Sequence, residues 1–295
     1  MYQAADKPRL QLRRLRSAAE YRQYRAEAAD EIARRAVHEI DLAREGRAFS
    51  VPGFCYLCQK DVKFTVDFQY TTEWEGSVVP IYREKMNCEC CGFNNRMRAA
   101  VQILEDQVKP RKGGEIYLTE QVTPMYKLFC ERYGKVVGSE YLGESVPWGS
   151  KDARGVRNES VTRLTFADGR FAAIVSFDVL EHVPDYKSAF KECLRCLEPG
   201  GVLLFSVPFN SATTVMRARI AADGRVEHIL PPEYHGDPLK DAGCLCFYHF
   251  GWDVLDALRA IGFQTAEAFV YYSEELGYIG FGEQMIFAAT KSAVA

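Results

Sequence analysis

The sequence lacks any apolar run long enough to cross a membrane. Across its 295 residues there is no stretch of about 18 apolar side chains, the length that a spanning helix needs. The first sixteen residues carry five basic side chains in place of the apolar core of a secretory signal. These absences predict a cytoplasmic protein with no membrane partner. In that reducing compartment its ten cysteines are expected to be free thiols or metal ligands.

The sequence also lacks an excess of positive charge. Its net charge is -3 and its isoelectric point is about 6.0, so it has no general attraction for nucleic acid. The first fifty residues carry 11 basic and 8 acidic side chains, and the rest carry 26 and 32. This small excess of basic side chains in the first fifty residues is typical of a solvated helix face. An arm that binds anions is the alternative. Nucleic acid is therefore a disfavoured partner.

Glycine and proline are nearly absent from residues 10–47, where alanine, arginine and glutamate predominate. This composition predicts one or two helices. Their apolar stripe is thin, so we expect them to dock on a larger surface, either in this chain or on a second subunit of a homo-oligomer. The sequence therefore predicts an N-terminal helical arm over residues 1–50.

Residues 51–100 hold a cysteine pattern that predicts a small zinc ribbon. Strand-like alternation at 62–70 separates two pairs of cysteines, each pair with a two-residue gap. Such gaps let four thiolates reach one tetrahedral Zn²⁺, and four thiolates leave the ion no open position, so its role is structural. The predicted ligands are Cys55, Cys58, Cys88 and Cys91.

Cys90 leaves an alternative, since it could replace Cys88 or Cys91 as a ligand. We prefer the set without Cys90 because it keeps the two-residue gap in both pairs. The other five cysteines are expected to pack as small apolar side chains in a core. They are Cys130, Cys193, Cys196, Cys244 and Cys246.

Residues 101–295 alternate short apolar strands with helices, which predicts one α/β domain. Such alternation indicates a doubly wound, mostly parallel sheet covered on both faces, here with an antiparallel pair of strands at its end. The predicted strands are 115–119, 135–138, 172–177, 202–207, 265–272 and 284–290, and the predicted helices are 123–133, 186–197 and 252–261.

Ligands of such a sheet bind at the carboxyl ends of its strands. After the first strand, Thr123 and Pro124 predict a helix N-terminus whose free N–H groups bind an anionic ligand group. The same loop lacks the Gly-x-Gly-x-x-Gly pattern, so it gives no support for close approach to a pyrophosphate. Glu140 follows the second strand, about 20 residues further on, where a carboxylate accepts hydrogen bonds from ribose hydroxyls.

Three runs of sequence resemble the class I S-adenosylmethionine-dependent methyltransferases, in particular those that act on small molecules. They are LTFADGRF at 164–171, IVSFDVLEHVP at 174–184 and LEPGGVLLFSVPF at 197–209. The resemblance extends over about residues 113–291. It implies a Rossmann-like sheet of seven strands and S-adenosylmethionine as the methyl donor.

The resemblance also implies roles for single residues. Glu140 would bind the ribose of the cofactor, and the run Glu159, Ser160 and Val161 would lie along the adenine. The run Phe177, Asp178 and Val179 would flank the methionine part.

The chain departs from the family pattern at Ser160, where an acidic residue usually contacts the adenine, and at residues 119–123, which replace a glycine-rich loop. In that loop we expect Thr119 to border the cofactor, Thr123 to receive its carboxylate and Glu120 to pair with its ammonium group.

The segment 209–251 is longer than a simple connection, which predicts a lid or a substrate loop. Its polar and aromatic run at 233–238 suits a hydroxylated small molecule or a saccharide as the methyl acceptor. An oxygen acceptor must lose a proton, and histidine, with a pKa near ~6.5, is the best-matched base. We predict His235 as this base, with His249 and Asp178 as the next candidates. His182 and His249 have structural roles as alternatives.

Two other functions compete with this prediction. An RNA-modifying methyltransferase would use the zinc module and the basic arm to bind the phosphate backbone. A degenerate domain that lost cofactor binding together with its glycine-rich loop would serve as a scaffold. The sequence does not specify the accepting atom, because acceptor sites in this fold lie in variable loops.

Overall fold

Seven α-helices and eighteen strands form the regular structure of the described chain. The computed structural model describes residues 8–74, 76–210, 212–280 and 282–294. The helices are α1 (Ala18–Glu27), α2 (Ala29–Ala43), α3 (Tyr82–Lys85), α4 (Asn95–Ile103), α5 (Pro124–Tyr133), α6 (Tyr186–Cys196) and α7 (Asp253–Ile261), with a π-helical turn at Leu104–Val108 and a 3₁₀ turn at Leu180–His182. None of these helices has both the length and the apolar character needed to cross a bilayer.

The strands vary from two to ten residues in length. They are β1 (Gln11–Leu15), β2 (Phe49–Cys55), β3 (Lys60–Val66), β4 (Thr71–Trp74), β5 (Ser77–Pro80), β6 (Met86–Cys88), β7 (Ile116–Leu118), β8 (Val136–Gly138), β9 (Phe171–Phe177), β10 (Leu197–Ser206), β11 (Val215–Met216), β12 (Ala218–Ile220), β13 (Val226–His228), β14 (Tyr234–Asp237), β15 (Lys240–Leu245), β16 (Tyr248–His249), β17 (Thr265–Tyr272) and β18 (Gln284–Thr290).

The largest sheet has seven strands in the order β1-β17-β18-β10-β9-β7-β8. Strands β8, β7, β9 and β10 pair in parallel, whereas β18 is antiparallel to β10 and β1 is antiparallel to β17. Every residue of β9 is buried, as expected of a central parallel strand that is covered on both faces. The predicted α/β fold and its seven strands are confirmed.

One of the seven strands lies in a segment that was predicted to be helical. Six strands fall on predicted segments, but β1 forms inside the predicted helical arm, with Gln11 opposite Tyr272 and Leu15 opposite Ala268. Leucine, arginine and glutamine are good helix formers, but pairing there satisfies backbone groups at the edge of β17, and this tertiary contact overrides the local propensity. The prediction of helix was therefore wrong for residues 11–15, and helix begins only with α1.

By its internal packing the chain divides into two compact units. Unit 1 comprises the described residues of 1–15, 19–108 and 268–286, and unit 2 comprises those of 16–18, 109–267 and 287–295. The predicted domain boundaries, 1–50, 51–100 and 101–295, stay predictions.

In unit 2 the helices α5, α6 and α7 begin and end within one residue of the predicted bounds. The hydroxyl of Thr123 accepts a hydrogen bond from the N–H of Tyr126 (3.3 Å), and Pro124 is the first residue of α5. Asp185 caps α6 in the same way, accepting from the N–H of Ser188 (3.1 Å). These caps fix where each helix leaves the loop that precedes it.

In unit 1 the cysteine-rich segment contains a three-stranded sheet in the order β2-β3-β6. The alternate residues Val62, Phe64 and Val66 of β3 are buried, which agrees with the predicted pattern, although the strand ends at Val66 rather than at residue 70. This burial places one face of the sheet against the core of the unit.

Helix α2 of the arm docks on residues of its own unit. The carboxylate of Glu39 accepts a hydrogen bond from the N–H of Gly280 (2.9 Å), and the backbone oxygen of Glu39 accepts one from the hydroxyl of Tyr82 (2.6 Å). Docking of the arm on a second subunit stays a prediction.

Arg98 in α4 is the largest fully buried side chain of the described residues. Its guanidinium lies 4.1 Å from the centroid of the Phe64 ring. It donates hydrogen bonds to four backbone oxygens of unit 1, those of Met86, Phe93, Leu276 and Gly277. One side chain thus joins the cysteine-rich segment to the segment 268–286 of the same unit.

We expect the substitution Arg98→Met to lower the free energy of unfolding by about 2–4 kcal/mol, because four buried carbonyls lose their donor. Urea unfolding measures the loss. The same change at Arg22, which is exposed on α1, is the control and should cost less than about 0.5 kcal/mol. Equal losses for the two variants would contradict the structural role of Arg98.

Candidate functional site

A cavity of about 400 Å³ opens at the carboxyl ends of the parallel strands in unit 2. Thr119 follows β7, Glu140 follows β8 and Asp178 follows β9, so strands that are neighbours in the sheet bring these side chains to one place. The full lining is Thr119, Ser139, Glu140, Tyr141, Glu159, Ser160, Val161, Thr162, Asp178, Val179, His182, Val183, Pro184, Gly236, Asp237, Pro238, Leu239, Lys240 and Cys244.

Glu140 ties the end of β8 to the loop after β7. Its Oε1 accepts hydrogen bonds from the N–H groups of Gln121 (2.6 Å) and Val122 (2.9 Å). Burial raises the pKa of the Glu140 carboxyl, while the two N–H groups act in the opposite direction. With Oε1 engaged by the loop, a ligand hydroxyl would meet Oε2.

The three residues predicted in the first loop occupy different places. Thr119 borders the cavity and donates from its hydroxyl to Ser176 (3.0 Å). Glu120 and Thr123 are not among the lining residues, and the hydroxyl of Thr123 donates to the Glu120 carboxylate. Their predicted contacts with the carboxylate and the ammonium group of a cofactor stay predictions.

Glu159, Ser160 and Val161 all border the cavity, but Glu159 has a second task. Its buried carboxylate accepts from the guanidinium of Arg157 (2.8 Å) and from the hydroxyl (2.6 Å) and N–H (2.9 Å) of Thr165. Both of its oxygens therefore hold the loop in shape. Ser160 and Val161 are left as the residues that a ligand ring would contact.

Asp178 ends the central strand in a conformation that is rare for a residue with a side chain. Its φ is +50°, in the left-handed region. The backbone N–H of Asp178 donates to the oxygen of Ser206 (3.0 Å), and its Oδ1 accepts from the Ser206 hydroxyl (2.8 Å). These bonds hold the carboxylate at the cavity wall. Phe177, the residue before it, is buried outside the lining.

Three histidines and two glutamates form a cluster beside this wall. His182 borders the cavity, and the ring of His235 packs edge-on against it with centroids 4.9 Å apart. The Glu181 carboxylate lies 3.7 Å from Nε2 of His182 and 3.5 Å from Nδ1 of His235. The structure thus brings His235 close to the cavity without placing it in the lining.

Glu233 forms the outer part of the cluster. Its Oε1 lies 3.0 Å from Nε2 of His235 and 3.0 Å from Nε2 of His249, and its Oε2 lies 3.1 Å from the guanidinium of Arg217. His249 therefore stands one step further from the cavity than His235. Of the three candidate bases, Asp178 lines the cavity, His235 lies behind His182, and His249 lies beyond His235.

The charge state of His235 is set by its two carboxylate neighbours. Glu181 beside Nδ1, helped by Glu233 beside Nε2, raises the pKa of His235 to about 9. Burial raises the pKa of the Glu181 carboxyl as well. A ring that keeps both protons at neutral pH takes none from an acceptor. The predicted role of His235 as a base thus requires that one of these carboxylates be engaged elsewhere.

Sequence reasoning did not identify the contacts that Glu181, Glu233 and Arg217 make in this cluster. Glu181 is adjacent to His182 in the loop after β9, and that adjacency was the available signal. Glu233 and Arg217 lie in the long segment 209–251, whose strands bring them back to the sheet end. Cys244, which was expected in a core, is half-buried and borders the cavity.

The four predicted metal ligands converge in unit 1. Sγ of Cys55 is 3.8 Å from Sγ of Cys91, and Sγ of Cys58 is 3.9 Å from Sγ of Cys88. Thiolates about 2.3 Å from a tetrahedral Zn²⁺ are about 3.8 Å apart, so the spacing fits that ion. Cys90 is exposed, and its N–H points to Sγ of Cys88 (3.4 Å).

Unit 1 also contains a larger cavity, of about 1080 Å³. Four arginines line it, Arg9, Arg13, Arg14 and Arg35, and it lies beside β1 and the end of β17. None of the predicted cofactor, acceptor or metal residues borders it. The smaller cavity of unit 2 is therefore the candidate site.

Known proteins are similar to this chain over the strands and loops that form the cavity. A methyltransferase-domain family matches residues 120–205. The chain is 29% identical over 108 residues to a ubiquinone biosynthesis O-methyltransferase of Idiomarina loihiensis, covering 34% of this chain and 43% of that protein. It is 38% identical over 53 residues to a probable S-adenosylmethionine-dependent methyltransferase of Mycolicibacterium smegmatis, covering 18% of this chain and 21% of that protein.

The chain thus spans less than half the length of the curated relatives that it matches. Among solved structures, it is similar to an S-adenosylmethionine-dependent methyltransferase from Mesorhizobium loti. The two are 20% identical with a TM-score of 0.42, over 68% of this chain and 100% of the other. The residues matched by the family include Glu140, Asp178 and His182 of the cavity.

Proposed function

The chain contains a class I S-adenosylmethionine-dependent methyltransferase domain, and from this we propose that the protein transfers a methyl group from S-adenosylmethionine to an oxygen of a polar small molecule or a saccharide. The observation that carries the proposal is one cavity that joins Glu140 and Asp178 to a cluster of histidines and carboxylates. Its volume of about 400 Å³ lies within the range of small-molecule sites.

The cofactor occupies the part of the cavity next to the sheet. Oε2 of Glu140 accepts from the ribose hydroxyls, since Oε1 is held by the loop after β7. Ser160 and Val161 contact the adenine, and Asp178 stands beside the methionine part. The left-handed backbone at Asp178 and its bond to Ser206 fix the carboxylate before the cofactor arrives.

The acceptor lies on the opposite wall, which the segment 209–251 supplies. Asp237 and Lys240 are polar groups of this wall, and His182 connects it to the cluster. The acceptor oxygen attacks the methyl carbon in line with the breaking C–S bond, whose electron pair passes to sulfur. The proton of the acceptor leaves through the cluster, where His235 lies directly behind His182.

We expect Glu140→Ala to weaken the binding of S-adenosylhomocysteine at least tenfold, because the ribose hydroxyls and the loop after β7 both lose their acceptor. Isothermal titration calorimetry measures the affinity. Glu144→Ala is the matched control, since Glu144 is exposed in the segment that follows, and its affinity should stay within twofold of the wild type.

An unchanged affinity in Glu140→Ala would show that the cofactor is wrongly placed. No binding of S-adenosylhomocysteine by the wild type would contradict the enzyme and favour the scaffold. Salt-sensitive retention on RNA, together with methylation of RNA, would favour the nucleic-acid alternative.

We also propose that Cys55, Cys58, Cys88 and Cys91 hold a structural Zn²⁺. All four sulfurs lie within 4.8 Å of one another, two of their distances match the edge of a tetrahedral Zn²⁺ site, and an all-thiolate set gives the ion no position for a substrate. The Arg98 guanidinium contributes to lowering the pKa of the Cys55 thiol, whose main cause is the hydrogen bond with Cys91. A buried cation therefore favours the thiolate form that the ion needs.

We expect the purified protein to contain zinc and Cys58→Ser to contain one equivalent less, and we expect the melting temperature of Cys58→Ser to fall because the ion stabilises the folded unit. Elemental analysis and a thermal melt measure the two effects. Cys90→Ser, the control, should keep both its zinc and its stability. Loss of zinc in Cys90→Ser, or a zinc-free wild type, would contradict the assignment.

A further inference from the structure

We propose that Glu181, His182 and His235 bind a divalent transition-metal cation at the edge of the cavity. One ligand atom from each of the three side chains lies within 4.8 Å of the others. These atoms are an oxygen of Glu181, Nε2 of His182 and Nδ1 of His235. The ion would be distinct from the one at the four cysteines, which belong to the other unit.

The Glu181 carboxylate is the first observation that points to a cation. Glu181 is completely buried, and neither of its oxygens has a hydrogen-bond partner among the described residues. Burial of a carboxylate without donors is costly, so such groups in native proteins are paired with a cation or a metal ion. Nε2 of His182 and Nδ1 of His235 approach it at 3.7 and 3.5 Å.

The orientation of the two histidines is a second, independent observation. Nδ1 of His182 lies 2.8 Å from the carbonyl oxygen of Leu245, which can only accept, so this nitrogen carries the hydrogen. In the neutral ring Nε2 then presents its lone pair toward Glu181. Nε2 of His235 lies 3.0 Å from Oε1 of Glu233 and keeps its hydrogen, so when the ion displaces the Nδ1 proton, the lone pair of Nδ1 faces Glu181 as well. Both tautomers are therefore set for one shared ligand.

Glu233 acts as the outer support of the site. A carboxylate that accepts a hydrogen bond from the far nitrogen of a histidine fixes the ring and makes it a better metal ligand. Glu233 is itself held by Arg217 and His249. The support therefore extends over two further residues of the segment 209–251.

The spacing fits an ion better than direct hydrogen bonds. The two distances from Glu181, 3.5 and 3.7 Å, are long for a hydrogen bond between a carboxylate and an imidazole. Ligand atoms at about 2.0–2.2 Å from one tetrahedral ion are about 3.3–3.6 Å apart. Two imidazoles and one carboxylate suit Mn²⁺, Fe²⁺, Co²⁺ or Zn²⁺ and leave coordination positions for other ligands.

The role of the ion rests on the function proposed above. His182 borders the cavity, so an open position of the ion faces the acceptor. The acceptor hydroxyl binds there and releases its proton to solvent, because the cation lowers the pKa of a bound hydroxyl. The oxygen then forms its bond to the methyl carbon, the C–S bond breaks toward sulfur, and neutral S-adenosylhomocysteine leaves. His235 is in this case a metal ligand and not the base.

The test uses the full chain after treatment with a chelator, and Mn²⁺ as the probe, because Mn²⁺ binds nitrogen and oxygen ligands in preference to thiolates. Electron paramagnetic resonance counts the bound ions. We expect one Mn²⁺ per wild-type chain, and an affinity at least tenfold weaker in Glu181→Gln and in His235→Asn. His228→Asn, at an exposed histidine on β13, is the control that should bind like the wild type.

Calorimetry with S-adenosylhomocysteine on the same samples separates the two proposals. Cofactor binding that persists while Mn²⁺ binding is absent from the wild type, or unchanged in both site variants, would overturn the metal site alone. Mn²⁺ bound as expected in a protein without cofactor affinity would overturn the methyltransferase function and leave the metal site standing. If Glu181→Gln does not fold, His235→Asn decides the outcome.

Discussion

A carboxylate that is buried without hydrogen-bond donors must be balanced by positive charge, and here that carboxylate is Glu181. The elements around Glu181 bring histidine side chains to its carboxylate. The loop after β9 brings His182, and the segment 209–251 folds back to bring His235 together with Glu233, which holds the ring of His235 in place. Residues 236–240 and Cys244 of the same segment also line the cavity, so one segment supplies part of the cluster and part of the cavity wall.

The architecture followed from the sequence where local pattern and tertiary packing agree. The apolar run 172–177 becomes a strand because every residue of β9 is covered. A helix begins after Thr123 because Thr123 caps it and Pro124 suits its first position. Strand β1 could not be predicted, since its formation depends on the edge of β17 far along the chain. Its own residues, glutamine, leucine and arginine, favour a helix.

The candidate site also contains residues that the sequence could place and residues that it could not. Residues that directly follow a strand, such as Glu140 and Asp178, could be placed because parallel strands end at one edge of the sheet. His235 was singled out for its residue type, but its distance from the cavity and its two carboxylate neighbours result from the path of the segment 209–251. Which ring nitrogen of a histidine carries the lone pair depends on the hydrogen-bond partner of the other nitrogen. The spacing of residues in the sequence does not reveal that partner.

The account is tested most directly by a crystal structure of the protein with S-adenosylhomocysteine and Mn²⁺, with anomalous diffraction used to locate the metal. We predict that the ribose lies at Glu140, that the cofactor sulfur lies beside Asp178, and that an anomalous peak lies between Glu181, His182 and His235. A cofactor bound outside this cavity, or Mn²⁺ found at other residues alone, would contradict the account.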